Sequence, residues 1–235
     1  RSSDSYRRIR NTIRFILGNL GDYTNKKIPP KNLTELDKWM LKRTKKLQEE
    51  IREDYLNYNF HFAFQKIHNF CANDLGGFYL DILKDRLYTA KSDSDARRAC
   101  QVVLSDILQA LLRWVSPILS FTAEEAWQTL NEDTESVHLL EWFDDWTDIG
   151  EISFSDKEWE KILEIRSEVN KHIEEARNKE IIGSALDADL ELCCNAETKK
   201  LLDKFYLDKK VKTVEVDLPG LYPDQKFFAY GDQNH

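Results

Sequence analysis

Arginine side chains recur at helical spacing near the start of the chain, where they could bind phosphate groups. Arg7, Arg10 and Arg14 follow one another at intervals of three and four residues, with Asn11 beside them. Apolar residues within 6–20 recur at the same intervals on another side. As a helix, the segment would bury one face and present guanidinium groups on another, which suits the phosphate backbone of a nucleic acid. A solvated polar face is the alternative, and this segment by itself leaves both interpretations open.

Acidic and basic residues are unevenly distributed along the 235-residue chain. Its net charge of −8 argues against a generally basic nucleic-acid binder. Residues 1–50, however, carry 13 lysines and arginines against 6 acidic residues, whereas the remaining residues carry 21 against 36. This asymmetry indicates that the N-terminal part faces a polyanion and that the rest does not.

Patterns that mark catalytic or metal sites are absent from the sequence. It contains neither a glycine-rich phosphate loop nor a G-x-S-x-G motif. His61 and His68 lie seven residues apart on a predicted helix, about 10.5 Å along its axis, which is too far for a shared ion. No C-x-x-C pair occurs among the four cysteines, which are Cys71, Cys100, Cys193 and Cys194. We therefore expect reduced thiols, no metal site and no catalytic residues.

Hydropathy gives no sign of a membrane protein. No segment is long and apolar enough to span a bilayer, and no signal peptide is recognisable, so we expect a cytoplasmic protein without membrane contact. The chain starts directly at a predicted helix and without Met, which leads us to expect a piece of a longer polypeptide.

Apolar periodicity predicts a mainly α protein in two parts, a helical bundle over residues 1–182 and a small α/β unit over 183–235. Helices are predicted over about 4–20, 34–57, 60–83, 95–115, 122–130 and 155–179. Asp4, Thr122 and Ser155 are the expected N-terminal caps. An acidic and aromatic loop is expected over 131–154.

The α/β unit is predicted to hold strands near 186–194, 212–217 and 226–230, and a short helix at 197–205. Gly76-Gly77, inside the third helix, indicates tight packing or a local break.

Four stretches of the chain together carry a resemblance to a known family. They are Y-R-R-I-R-N-T-I-R-F at 6–15, F-Y-L-D-I-L-K-D-R-L-Y at 78–88, the pair Arg97-Arg98 followed by P-I-L-S-F-T-A-E-E-A-W at 117–127, and S-V-H-L at 136–139. In order and spacing they resemble the C-terminal region of the bacterial-type isoleucyl-tRNA synthetases, which are class I aminoacyl-tRNA synthetases. The resemblance covers nearly the whole chain, more loosely over the last fifty residues, where the family has a small junction domain.

The resemblance implies a class I synthetase anticodon-binding helical bundle that binds the anticodon stem-loop of isoleucine tRNA. The family's HIGH and KMSKS signatures and its editing domain are absent here, so we expect the chain alone not to be catalytic. The whole enzyme would ligate isoleucine to its tRNA with ATP and Mg. We expect a monomer whose other partner is the catalytic domain of the same polypeptide. A zinc module, which often ends this family, would lie beyond residue 235.

Basic rows on consecutive helices can follow a stem backbone, since duplex RNA is recognised through its shape, phosphates and ribose hydroxyls. The predicted tRNA-binding residues are Arg7, Arg8, Arg10, Asn11, Arg14, Trp39, Lys42, Arg43, Lys45, Lys46, Lys84, Arg86, Arg97 and Arg98. Trp39 would stack on an unpaired base, although a core or interdomain contact is the alternative, and Tyr88 and Trp142 are weaker candidates.

Arg97 and Arg98 open a predicted helix, where positive charge opposes the helix dipole, so an anionic partner is expected. That partner is either a phosphate or a carboxylate such as Asp81, Asp85 or Asp93.

Three other interpretations remain. The nearest is the same region of a sister synthetase, valine being the closest rival because of the R-R-I-R-N-T run. A second is a helical module whose basic patch meets an acidic protein. The third is an enzyme with an unrecognised site, which the absence of a convergent polar cluster disfavours.

Overall fold

A computed structural model of the chain describes residues 2–25, 28–131, 135–184, 188–205, 211–215 and 226–231. The chain packs into two compact units, residues 1–153 and residues 154–235. Helices dominate, which confirms the mainly α prediction.

The first unit is a helical bundle built around one central helix. Its helices are α1 (Ser2–Asn19), α2 (Glu35–Leu56), α3 (Phe60–Asn69), a π-helix (Phe70–Tyr79), α4 (Leu80–Thr89), α5 (Asp95–Val115) and α6 (Ser120–Leu130), with 3-10 turns at Pro30–Asn32 and Val137–Leu139. Helix α5 packs against α1, α2, α3, α4 and α6. Because it is surrounded, most of its length is apolar and buried, including Ile107, Leu111 and Trp114. The predicted bounds of this helix are confirmed.

A buried carboxylate joins three elements of this bundle. Asp37 is fully buried in the first turn of α2, where it shares a capping box with Thr34. Its Oδ1 accepts hydrogen bonds from the Tyr79 hydroxyl at 2.8 Å and from Arg86 Nη1 at 2.9 Å. Burial of a charge is tolerated only when partners of this kind surround it. The network therefore fixes the π-helix and α4 against the start of α2.

The predicted single helix over 60–83 is wrong in its continuity, because α3, the π-helix and α4 follow one another from residue 60 to residue 89. In a π-helix each backbone N–H bonds to the carbonyl five residues earlier. A Cβ at Gly76 would lie 3.0 Å from the Cys71 carbonyl oxygen, and one at Gly77 would lie 3.3 Å from that of Ala72. The glycine pair thus fits the crowded carbonyls of the wider turn, and it marks the interruption.

Two expected helix caps are also wrong. Helix α1 already begins at Ser2, so Asp4 lies within its first turn. Helix α6 begins at Ser120 after Leu119, two residues before the expected cap. The Thr122 hydroxyl is instead 3.2 Å from the Tyr6 hydroxyl, with which it forms a hydrogen bond between α6 and α1. The Thr122 side chain, which the local sequence pattern predicts to cap α6, thus forms a contact between two helices instead.

An extended segment, residues 141–153, crosses the bundle without helix or strand; we call it the strap. The backbone of the strap has no neighbouring strand to bond with in the described part of the chain, and it forms hydrogen bonds with side chains of α2 and α5 instead. These bonds are Arg113 Nε to Glu141 O at 2.8 Å, Gln48 Nε2 to Phe143 O at 2.7 Å, Thr147 N to Asp106 Oδ2 at 2.8 Å, Lys38 Nζ to Glu151 O at 2.7 Å and Ser153 N to Glu35 Oε2 at 2.9 Å. The wrapping loop expected here is confirmed for the described residues.

In its described residues, the second unit combines two helices and a sheet. Its elements are α7 (Asp156–Asn178), β1 (Ala188–Cys194), α8 (Ala196–Phe205), β2 (Val211–Glu215) and β3 (Lys226–Gly231). Strand β1 lies between β2, to which it is parallel, and β3, to which it is antiparallel. The predicted capping box of Ser155 and Glu158 opens α7.

Side-chain packing places α7 in the same compact unit as the sheet. Ile165 of α7 contacts a cluster of Leu192, Cys194 and Leu202. The predicted boundary between residues 182 and 183 lies C-terminal to this helix and stays a prediction about domains, whereas the packing divides the chain between 153 and 154.

We predict that Asp37→Ala lowers the free energy of unfolding by about 3–5 kcal/mol, because Tyr79 and Arg86 lose a buried acceptor. Urea unfolding followed by tryptophan fluorescence measures this. Glu49→Ala, which removes an exposed carboxylate from the same helix, should cost under about 0.5 kcal/mol. A loss below about 1 kcal/mol for Asp37→Ala would show that the network does not hold the bundle together.

Asp106, which accepts a hydrogen bond from Thr147 N of the strap, makes the stability of the fold depend on pH. Burial raises the pKa of Asp106 from 3.8 to about 6, and the nearby charge of Asp145 acts in the same direction. Ionisation of Asp106 therefore lowers the stability of the fold. The cost grows as pH rises from 3.8 to about 6, is complete above that range and is absent below it. Asp106→Asn does not titrate, so its stability relative to wild type should increase by about 3 kcal/mol between pH 3.5 and pH 7. Urea unfolding at a series of pH values tests this, and a difference independent of pH would contradict it.

Candidate nucleic-acid interface

Helix α1 separates its apolar and basic residues onto different faces, as its sequence predicts. Ile9, Ile13 and Ile16 are buried in the bundle core. The basic residues and the amide lie on the exposed side, and they are Arg7, Arg8, Arg10, Asn11 and Arg14. A helix that is held by its apolar face can present guanidinium groups to a ligand without losing its packing.

The four arginines of α1 differ in how firmly they are held. Arg7 lies 3.8 Å from Asp4, and both side chains are 72% exposed. Arg10 donates to the Tyr6 hydroxyl at 3.0 Å and lies 3.6 Å from Glu125. Arg8 and Arg14 make no ion pair or side-chain hydrogen bond with the described residues. These two guanidinium groups therefore have all their donors available to a phosphate.

A surface groove of about 360 Å³ runs between α1 and the π-helix; we call it the α1 groove. Its lining brings together three of the predicted residues, Arg8, Asn11 and Lys84, with Gly76 and Gly77 across from α1. Glycines leave backbone uncovered, so a ligand can approach the π-helix closely. The remaining lining residues are Thr12, Phe15, Cys71, Ala72, Leu80 and Asp81. The groove thus combines cationic and amide side chains with an aromatic ring, bare backbone and one carboxylate, that of Asp81, which lies 2.8 Å from Lys84 Nζ.

The basic row of α2 contacts the π-helix through Arg43. Arg43 Nε lies 3.3 Å from Asp74 of the π-helix, and its Nη1 lies 3.9 Å from Glu50. Lys45 and Lys46 are exposed, and Lys42 is half-buried. Arg8 of α1 and Arg43 of α2 thus each place a cationic side chain beside the π-helix.

Three predicted arginines are bound within the bundle. Arg86 belongs to the buried network of Asp37. Arg97 Nη2 lies 3.0 Å from Asp22 Oδ1, and Arg98 Nη1 lies 2.6 Å from the Asp22 carbonyl oxygen and 3.6 Å from its carboxylate. The hydrogen bond from Arg97 is the largest of the effects that lower the pKa of Asp22.

The expected anionic partner is present and is a carboxylate. It is Asp22, which lies 75 residues before Arg97, and not one of the three candidates Asp81, Asp85 and Asp93. Contact of Arg86, Arg97 and Arg98 with RNA stays a prediction. Lys84, by contrast, is half-exposed beside the α1 groove, 2.8 Å from Asp81.

The aromatic candidates for base stacking are unequally exposed. Trp39 is half-buried and meets Phe78 edge-on, with ring centroids 5.7 Å apart. Trp142 packs against Tyr55 at 6.1 Å. Tyr88 is 65% exposed. Sequence reasoning missed Phe15, whose ring lines the α1 groove, although it stands in the same arginine-rich stretch.

The thiols and histidines form no reactive cluster in the described residues. Cys71 and Cys100 are buried, and burial raises the pKa of each thiol to about 12. They are therefore protonated at neutral pH and act as packing residues. No three His, Cys, Asp or Glu side chains of the described ranges are placed to hold one metal ion. Among those same ranges, no helix has the length and apolar character that a bilayer crossing requires.

Comparison with known proteins gives a consistent result. The family described as the anticodon-binding domain of tRNA ligase matches residues 37–192. The chain is 50% identical over 200 residues to the isoleucine–tRNA ligase of Legionella pneumophila (strain Lens), an alignment that covers 84% of this chain and 21% of that protein.

It is 43% identical over 208 residues to the isoleucine–tRNA ligase of Alkalilimnicola ehrlichii, which covers 87% of this chain and 22% of that protein. It is 41% identical over 233 residues to that of Vesicomyosocius okutanii, which covers 87% of this chain and 24% of that protein. The chain spans about a fifth of the length of the curated relatives it matches.

We predict that the exposed and the bound arginines differ in their effect on folding. Arg97→Ala should lower the free energy of unfolding by about 1–3 kcal/mol, because the Asp22 carboxylate loses its shorter bond to a guanidinium group and keeps, as a charged partner, the 3.6 Å contact with Arg98. Arg8→Ala combined with Arg14→Ala should change it by less than about 0.5 kcal/mol, because neither side chain has a partner in the described structure. Urea unfolding of both variants provides the comparison. Equal effects would contradict the division into structural and available arginines.

Proposed function

Because this chain belongs to the family of the anticodon-binding domain of tRNA ligases, we propose that it binds the anticodon stem-loop of isoleucine tRNA. The observation that carries the proposal is the α1 groove, where Arg8, Asn11 and Lys84 meet beside bare glycine backbone. Cationic groups there would contact the phosphates, and Asn11 would contact a ribose hydroxyl or a base edge. The isoleucine relatives support the choice of tRNA.

The flanking cations would extend the contact along the RNA backbone. Arg14 continues the row of α1, and Lys45 and Lys46 provide exposed ammonium groups on α2. An RNA stem offers little base information to side chains, so backbone contacts of this kind give affinity and orientation. Tyr88 and Phe15 are the aromatic rings on which an unpaired base would stack.

At the level of the whole enzyme, the chain would be one part of an isoleucine–tRNA ligase. That enzyme would join isoleucine to its tRNA in the cytoplasm, using ATP with Mg bound in its catalytic domain, and any zinc module would lie outside this chain. The catalytic domain would be part of the same polypeptide, acting as a monomer. Here the chain contributes tRNA affinity, and the bond-forming step takes place elsewhere.

Two alternatives make different predictions. The same region of a valine–tRNA ligase would favour valine tRNA over isoleucine tRNA. A helical module for an acidic protein would bind neither tRNA with a steep salt dependence, because counterion release from a nucleic acid gives a slope of about 0.7–0.9 log units per phosphate contact.

We predict that Arg8→Ala with Arg14→Ala weakens binding to isoleucine tRNA about tenfold near 0.1 M salt and lowers the salt slope by about 1–2, because two phosphate contacts are lost. Filter binding or fluorescence anisotropy across a salt series measures both. Lys171→Ala with Lys179→Ala is the matched control, since it removes two exposed cations from the second unit and leaves the bundle intact. Unchanged binding by the arginine variant would contradict the assignment of the site.

A further inference from the structure

A second cationic cleft lies entirely within the second unit. It has a volume of about 630 Å³ and is formed where α7 and α8 begin; we call it the lysine cleft. Its lining residues are Lys157, Glu158, Lys161, Asn195, Glu197, Thr198, Lys200, Leu201 and Lys204. Four lysines therefore meet two glutamates in a chain whose net charge is −8. None of the residues predicted above to bind tRNA belongs to it.

The four lysines divide into bound and available ones. Lys204 Nζ lies 2.8 Å from Glu158 Oε1 and 4.3 Å from the ring centroid of Phe154. Lys161 Nζ lies 3.5 Å from Glu164 Oε2. Lys157 and Lys200 are exposed and have no partner among the described residues. The cleft thus offers two ammonium groups that no carboxylate of the described structure neutralises.

One of the two glutamates is already occupied. Glu158 caps α7 by accepting from the Ser155 backbone N–H at 2.7 Å, in addition to its bond with Lys204. The Lys204 bond is the largest effect that lowers the pKa of Glu158, to about 2. The negative charge of Glu158 is therefore already compensated by partners within the chain. Of the two glutamates that line the cleft, Glu197 is the one that a bound anion would face.

Helix geometry adds to the positive potential. Both α7 and α8 begin at the cleft, and the partial positive charge of each first turn is partly offset by acidic residues, Asp156 and Glu158 in α7 and Glu197 in α8. In α8 the Thr198 N–H bonds to the Asn195 side chain at 2.9 Å, which fixes this turn. The exposed ammonium groups of Lys157 and Lys200, which lie beside these capped helix starts, therefore supply the positive charge of a site for a compact anion.

We propose that the lysine cleft binds phosphate groups of the tRNA backbone, as a contact additional to the α1 groove. This inference rests on the proposed function, because the RNA is taken to be the same one. A phosphodiester backbone suits the cleft, since it supplies successive compact anions to separate ammonium donors. The acidic remainder of the chain would otherwise repel RNA, and the cleft gives the second unit a local attraction.

The test compares three forms of the whole chain in binding to isoleucine tRNA across a salt series. They are wild type, Lys157→Gln with Lys200→Gln, and the control Lys171→Gln with Lys179→Gln. The cleft variant should bind about three- to tenfold more weakly near 0.1 M salt, with a salt slope reduced by about 1–2. The control should match wild type, because its lysines do not line the cleft.

Each outcome decides the proposal. Binding by the cleft variant equal to that of the control overturns the lysine cleft and leaves the proposed function in place. Absence of salt-dependent binding by the wild type overturns both. If Lys157→Gln with Lys200→Gln lowers the melting temperature, the two single variants are tested, together with Lys157→Arg and Lys200→Arg, which should restore binding. A binding loss that arginine does not restore would count against a phosphate contact.

Discussion

The buried carboxylate of Asp37 is the interaction on which the arrangement of the bundle depends. An ionised group without solvent must be surrounded by donors, and here those donors come from Thr34, from Tyr79 of the π-helix and from Arg86 of α4. The network fixes the π-helix at its C-terminal end, while Arg43 and Asp74 hold it to α2 near its middle. A rigid π-helix is what gives the α1 groove a constant wall.

The central helix sets where the basic side chains are available. Helix α5 is enclosed by α1, α2, α3, α4 and α6, so each outer helix buries one face and exposes another. Arginines that fall near helix junctions, such as Arg97 and Arg98, are used to fasten the bundle. Arginines at the centre of an outer face, such as Arg8 and Arg14, remain available. The position of an arginine in the fold therefore decides whether it holds the bundle together or remains available to a ligand.

Features that depend on local periodicity, and on residues three or four positions apart, could be predicted from the sequence. They are helix α5, both parts of the capping box that opens α7, and the apolar face of α1. The π-helix could not be predicted, since Gly76-Gly77 indicates a break without specifying its geometry. The partner of Arg97 lies 75 residues away, and no local pattern identifies it. Likewise, Thr122 fits a capping box by spacing, yet its hydroxyl bonds to Tyr6 across the bundle. The charged residues of the candidate site could be predicted from the sequence. The groove between them could not, because it forms only when α1 packs against the π-helix.

Hydroxyl-radical footprinting of isoleucine tRNA by the whole chain tests the central claim most directly. The account predicts protection of the ribose backbone centred on the anticodon stem and loop, because the cations that border the π-helix would lie against those phosphates. Protection confined to the acceptor arm, or none at chain concentrations that saturate binding, would contradict it.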